Sequence, residues 1–100
     1  MKTKYIYPAI FEKEESGYFV NFPDIHPCYT EGETLEEAVL MAKDVLESRI
    51  DVALERGEVL PPPSDVDTLT EDKVMLIIVD IEDIKNQNRR YLHEYGQSFS

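Results

Sequence analysis

Few side chains in this 100-residue chain are placed for chemistry. The two histidines are His26, inside a proline-bounded stretch, and His93, near the end. His26 lies two positions from Asp24, and a carboxylate can orient an imidazole as a general base. The sequence sets no nucleophile or second polar group beside that pair, so a solvated turn histidine is the expectation. Cys28 is the single cysteine, which excludes an intrachain disulfide, and no Cys/His spacing matches a zinc site. A reactive thiol needs a nearby cation, whereas Pro27 and Tyr29 flank this one, and a small core residue is expected there. Gly17, Gly32, Gly57 and Gly96 stand apart from one another and build no phosphate-binding loop. No cofactor and no metal are expected.

Charge carries more information. The chain has 21 acidic and 10 basic residues, a formal net charge of −11. Residues 1–84 hold 20 acids and 7 bases, giving −13, while residues 85–100 hold 1 acid and 3 bases, giving +2. Such a body repels polyanions, which disfavours direct nucleic-acid binding and suits either solubility alone or a basic partner. The longest apolar run, residues 74–79, is far too short to cross a bilayer. A soluble protein of a reducing compartment, the cytoplasm, is expected.

The elements that must position these groups are legible from periodicity. Tyr5, Tyr7, Ala9 and Phe11 alternate with Ile6, Pro8 and Ile10, predicting a first strand with apolar groups on both faces. Pro8 cannot donate to a ladder, so a bulge or an edge-facing position is expected at that point. Glu14-Glu15-Ser16-Gly17 predicts a hairpin turn into a second strand over residues 18–22, and residues 28–31 predict a short third strand. Gly32 is expected to supply conformational freedom at the entry to a helix. Thr34 and Glu37 have the spacing of a reciprocal cap, and Gly57 is placed to close a helix running from Leu35 to Arg56. Its apolar stripe is Leu35, Ala38, Val39, Ala42, Val45, Leu46, Ile50, Ala53 and Leu54, with Leu40, Met41 and Val52 left off it. Residues 58–72, with three consecutive prolines, carry the chain back across the domain.

Residues 74–79 predict a fourth strand. A right-handed crossover through the helix suggests that it lies parallel to the first strand, in the order 3-2-1-4. The expected fold class is therefore α+β: three antiparallel strands, one long helix and a parallel fourth strand. An edge strand this apolar invites another chain, so Val74, Leu76 and Ile78 are expected at the interface of a homo-oligomer, a dimer or larger.

Tyr7-Pro8-Ala9, Gly17-Tyr18, Phe22-Pro23-Asp24, Cys28, Gly32, Thr34-Leu35-Glu36-Glu37-Ala38 and the later residues 61–64 together resemble the N-terminal domain of HicB-type antitoxins. The resemblance implies residues 1–82 as a HicB-like domain and residues 83–100 as a short tail, partly helical or disordered. It implies an antitoxin that binds a HicA-type toxin, a small basic ribonuclease with a catalytic histidine, and covers its active-site and RNA-binding face. Glu12, Glu14, Glu15, Asp24, Glu31 and Glu33, on strands and turns away from the helix, are the candidate contacts. The family's usual C-terminal DNA reader is not evident in the remaining residues, where Lys85, Arg89 and Arg90 form only a small basic cluster, so DNA binding is not expected. The alternative is a stand-alone oligomeric module, structural or ligand-binding, with no toxin partner.

The proposed strand order also resembles part of the ribonuclease H fold. Enzymes of that fold clamp two metals between carboxylates from the first strand, the first helix and the fourth strand. Asp80 and Glu36 or Glu37 could supply two of these, but residues 5–11 offer no carboxylate. A binding protein rather than an enzyme is expected.

Overall fold

The computed structural model describes residues 4–69 and 73–82. They form β1 (Lys4–Glu14), β2 (Gly17–Asn21), β3 (Tyr29–Gly32), α1 (Leu35–Arg56), a short 3-10 turn (Val66–Thr68) and β4 (Val74–Asp80). The sheet order is β3-β2-β1-β4, with α1 packed on one face. The tail expected over residues 83–100 lies outside the described residues.

β1 and β2 form a hairpin in which Glu14 pairs with Gly17, leaving Glu15 and Ser16 as the turn. Gly17 has φ 151, and a Cβ there would stand 2.3 Å from the carbonyl oxygen of Gly32 on β3. The turn therefore admits glycine because the third strand passes so close. Gly32 answers to the same constraint and not to the conformational freedom expected of it. A Cβ on Gly32 would stand 2.5 Å from the backbone nitrogen of Ala38, so this glycine lets the first turn of α1 sit on β3.

Pro8 occupies the edge-facing alternative. The register of β1 with β4 is continuous from Lys4–Asp80 to Ile10–Val74, without a bulge. Phe11 donates its N–H to the Lys73 carbonyl at 2.9 Å, so the odd residues of β1 direct their amides toward β4. Alternation turns the Pro8 nitrogen to the other side, beyond Asn21, where pairing with β2 has ended. Its missing donor costs no ladder bond.

The helix matches its predicted bounds. The Thr34 hydroxyl oxygen accepts from the Glu37 N–H at 3.1 Å, and Gly57 at φ 69 closes the far end. Of the reciprocal cap, this is the half the structure forms. Ala38, Ala42, Leu46 and Ile50 are fully buried against Tyr7, Ala9, Phe11, Val20 and Phe22 of the sheet side. Each large side chain so enclosed contributes roughly 1.5–3 kcal/mol. Leu40, Met41 and Val52 are exposed, and Leu54, assigned to the stripe from sequence, is exposed as well.

The fourth strand corrects the expectation. β4 is antiparallel to β1, with Val74 opposite Ile10 and Asp80 opposite Lys4, so the whole sheet is antiparallel. The handedness of a crossover constrains a strand that returns parallel, but it does not decide at which end the chain re-enters. That is decided by the segment after α1. The helix travels roughly 33 Å away from the hairpin end. Residues 58–69 then come back, anchored at Pro61, whose carbonyl accepts from the Tyr7 hydroxyl, and at Ser64, which bonds Asp24. β4 starts beside the middle of β1 and runs toward its beginning.

Candidate protein-interaction surface

The hairpin and the end of β3 gather acidic side chains. Glu12 on β1 stands opposite Phe19 on β2, which stands opposite Glu31 on β3, so one row across the sheet reads acid, aromatic, acid. The Phe19 ring lies 5.9 Å from that of Tyr29, two positions before Glu31, at an interplanar angle of 33°. Both rings belong to the sheet face turned away from α1, because Val20 between them in register points into the core. At the hairpin end, Glu14, Ser16, Gly17, Glu31, Glu33 and Glu37 line a cleft of about 290 Å³. Among the described residues, no three His, Cys, Asp or Glu side chains converge as metal ligands.

Five of the six acids nominated from sequence thus share this end of the sheet: Glu12, Glu14, Glu15, Glu31 and Glu33, all exposed. Asp24 is elsewhere. It follows the opposite end of β2, half-buried, and its carboxylate accepts from the Ser64 N–H at 3.0 Å and from the Ser64 hydroxyl. The sequence pattern places Glu37 in the helix cap and gives it no role on this surface. The signal was available, since Gly32 and Glu33 deliver the helix start directly beside the hairpin. Half-buried Phe19 and exposed Tyr29 add aromatics to the outward face, which their alternation with Val20 and Thr30 marks in the sequence.

A cation borders the acidic cleft through Tyr18. The Lys73 ammonium lies 5.5 Å from the centroid of the Tyr18 ring, and Tyr18 also lines the acidic cleft. Val74, Leu76 and Ile78, nominated for self-association, lie on the opposite edge strand, with Leu76 54% and Ile78 53% exposed.

The groups considered for catalysis are dispersed. His26 is exposed in the turn before β3, at a cis bond to Pro27. Cys28 is 3% exposed, and burial pushes its thiol up to about 11 even though the Arg49 charge pulls the other way. Burial also raises the Tyr7 phenol, with smaller contributions from the charges of Asp24 and Tyr5. Asp80 pairs with Lys4 at the start of β1 and accepts from the Glu82 N–H at 3.0 Å. Glu36 and Glu37 are at the hairpin end, the length of the sheet away, because β4 runs antiparallel. The carboxylates a two-metal nuclease would bring together are held apart by the topology.

The described residues form a small antiparallel sheet with one covering helix and an acidic end. The chain belongs to the HicB-like antitoxin family: residues 7–92 match the family described as "HicB_like antitoxin of bacterial toxin-antitoxin system". It is 45% identical over 58 residues to antitoxin HicB 2 of Photorhabdus laumondii, covering 58% of this chain and 42% of that one. The chain spans only about two fifths of the length of the curated HicB antitoxins it matches. Among solved structures, it is similar to a chain of a toxin-antitoxin complex from Streptococcus pneumoniae, with a TM-score of 0.73 and 26% identity over 81% of this chain and 72% of that one. It is also similar to a chain of the HicA3 and HicB3 toxin-antitoxin complex, with a TM-score of 0.59 and 28% identity, covering 76% of this chain and 96% of the other.

Proposed function

We propose that this chain is an antitoxin that binds a HicA-type toxin and neutralises it by covering the face that engages RNA. The observation that carries the proposal is the acidic end of the sheet, where Glu12, Glu14, Glu15, Glu31 and Glu33 lie around the half-buried Phe19 and the exposed Tyr29. A ribonuclease surface that attracts phosphate is basic, and carboxylates spaced along strand ends offer it a competing array of anionic oxygens. The aromatic pair supplies apolar contact area of the kind that anchors protein interfaces. Inhibition is by occupancy and requires no bond to be made or broken. Family membership and the likeness to chains of toxin-antitoxin complexes support the same assignment.

The test is co-expression of the chain with a HicA-type toxin from the native host. The native chain restores growth and co-purifies with a small basic protein that high salt releases. A chain carrying Glu14→Lys, Glu31→Lys and Glu33→Lys folds normally and fails at both. Failure of the native chain to protect cells or to retain such a protein overturns the assignment and leaves the stand-alone module.

A further inference from the structure

We propose that residues 83–100 dock on their own domain, seating Tyr91 and Leu92 in an apolar groove at the C-terminal end of α1. The groove is lined by Tyr5, Tyr7, Leu54, Glu58, Val59 and Leu60 and encloses about 250 Å³. It lies on the α1 side of the sheet, because Tyr7 belongs to the core beneath the helix and Tyr5 packs against that core. Its aliphatic walls are open, with Leu54 43% and Val59 96% exposed. Together with the half-buried Leu60 they make one apolar patch, and a patch of that kind marks an interaction site.

The path of the chain selects the occupant. Val79 pairs with Tyr5 and Asp80 with Lys4, so β4 leaves the sheet about 5 Å from the strand that carries the groove. Immediately afterwards the Asp80 carboxylate accepts from the Glu82 N–H at 3.0 Å, and Ile81 is buried, which bends the chain onto this end of the domain. From residue 83 the ten residues to Leu92 span about 15 Å as a helix and up to about 36 Å extended, enough in either form to reach across the end of α1. A segment tethered so near its site meets it at an effective concentration on the order of millimolar, an advantage no separate chain has.

The chemistry of the segment fits the groove. Arg89-Arg90-Tyr91-Leu92 sets two cations beside two apolar side chains, and residues 85–100 carry +2 against −13 for the rest. The end of α1 is the negative end of the helix dipole. Arg49 and Arg56 already reach Glu58, at 3.2 and 3.8 Å, which leaves Asp51 and Glu55, one turn from Leu54 and Glu58, for the incoming arginines. A basic protein partner is drawn elsewhere, to the hairpin end at Glu14, nine positions along β1 from Tyr5 or roughly 30 Å. Docking therefore leaves the acidic end open while it covers the apolar patch and turns the basic cluster inward, away from nucleic acid.

The experiment is paramagnetic broadening of amide signals in the full 100-residue chain, with a nitroxide attached to a His93→Cys variant. Cys28, 3% exposed, stays unlabelled. The amides of Leu54, Val59 and Leu60 are expected to lose most of their intensity, and those of Glu14 and Glu33 to keep theirs. Leu54→Lys and Leu92→Lys, each added to the labelled chain, are expected to restore the groove signals. If Leu54→Lys disturbs the spectrum of the sheet, Leu92→Lys decides. In a mixture of labelled chain with isotope-enriched unlabelled chain, the enriched signals are expected at full intensity. Full intensity at the groove in the labelled chain, broadening that survives Leu92→Lys, or broadening in the mixture overturns the proposal.

Discussion

Asp24 and Ser64, forty positions apart in sequence, are joined twice: the carboxylate accepts both the backbone N–H and the hydroxyl of the serine. This clasp, with the Tyr7 hydroxyl on the Pro61 carbonyl, holds the proline segment on the sheet and so determines where β4 enters. Hydrogen bonds to a charged group contribute about 1.5–3 kcal/mol each. Asp24→Ala is expected to lower the unfolding free energy by about 2–4 kcal/mol in urea titrations, and Ser64→Ala by less. The double variant should lose little more than Asp24→Ala alone, because Asp24→Ala already removes the hydroxyl bond that Ser64→Ala deletes. If Asp24→Ala instead leaves stability intact and weakens toxin binding, Asp24 is a contact and not a clasp.

The glycines separate two causes of destabilisation. Gly57→Ala introduces a side chain at φ 69 with nothing within 4 Å, so its cost is conformational, about 1–2 kcal/mol. Gly32→Ala drives a methyl group into the backbone of Ala38. Either β3 or the start of α1 must shift, and the loss is expected to exceed that of Gly57→Ala. Thermal unfolding of the two variants side by side checks the order, and equal losses would show that β3 and α1 yield easily.

Cys28 makes stability depend on alkaline pH. Its thiol titrates near 9.0 when unfolded and is pushed up to about 11 in the folded chain by burial. Below pH 9 both states hold the proton and stability is at its full value. Between about 9 and 11 the unfolded state releases the proton first, so stability falls as pH rises, by on the order of 2–3 kcal/mol in all. Cys28→Ala should flatten this part of the curve relative to the native chain, whatever the lysines and tyrosines add to both. Denaturant midpoints at pH 8, 9, 10 and 11 give the comparison, and parallel curves would refute it.

The parts of the fold written in local pattern were legible. The alternation from Tyr5 to Phe11, the cap at Thr34 and the stop at Gly57 each state a local rule that the structure obeys. The direction of β4 was not legible by such rules, because it depends on two contacts between distant residues, Tyr7 with Pro61 and Asp24 with Ser64. Gly32 misled for a related reason. A glycine needed for close packing reads in sequence like a glycine needed for a turn. For the candidate surface, composition singled out the acids, but only the pairing of β1, β2 and β3 puts Glu12, Phe19 and Glu31 in one row and adds Glu37 to the cleft.

If the acidic end acts through its field, its removal should slow association more than it hastens dissociation. Glu14→Gln, Glu31→Gln and Glu33→Gln together delete three negative charges while keeping side-chain size, and all three residues are exposed at one end of the sheet. Steered encounters depend on the summed potential and are screened beyond about 8 Å at physiological salt, whereas exposed ion pairs contribute about 0–1 kcal/mol each to the final complex. The triple variant is therefore expected to reduce the association rate with a HicA-type toxin roughly tenfold or more at low salt, to flatten the dependence of that rate on ionic strength, and to change the dissociation rate by only a few fold. Replacing Phe19 with alanine should do the reverse, because an aromatic side chain packed at the interface acts after encounter. Stopped-flow mixing for association and surface-immobilised toxin for dissociation separate the two. An unchanged salt dependence in the triple variant would place the toxin on some other part of the domain.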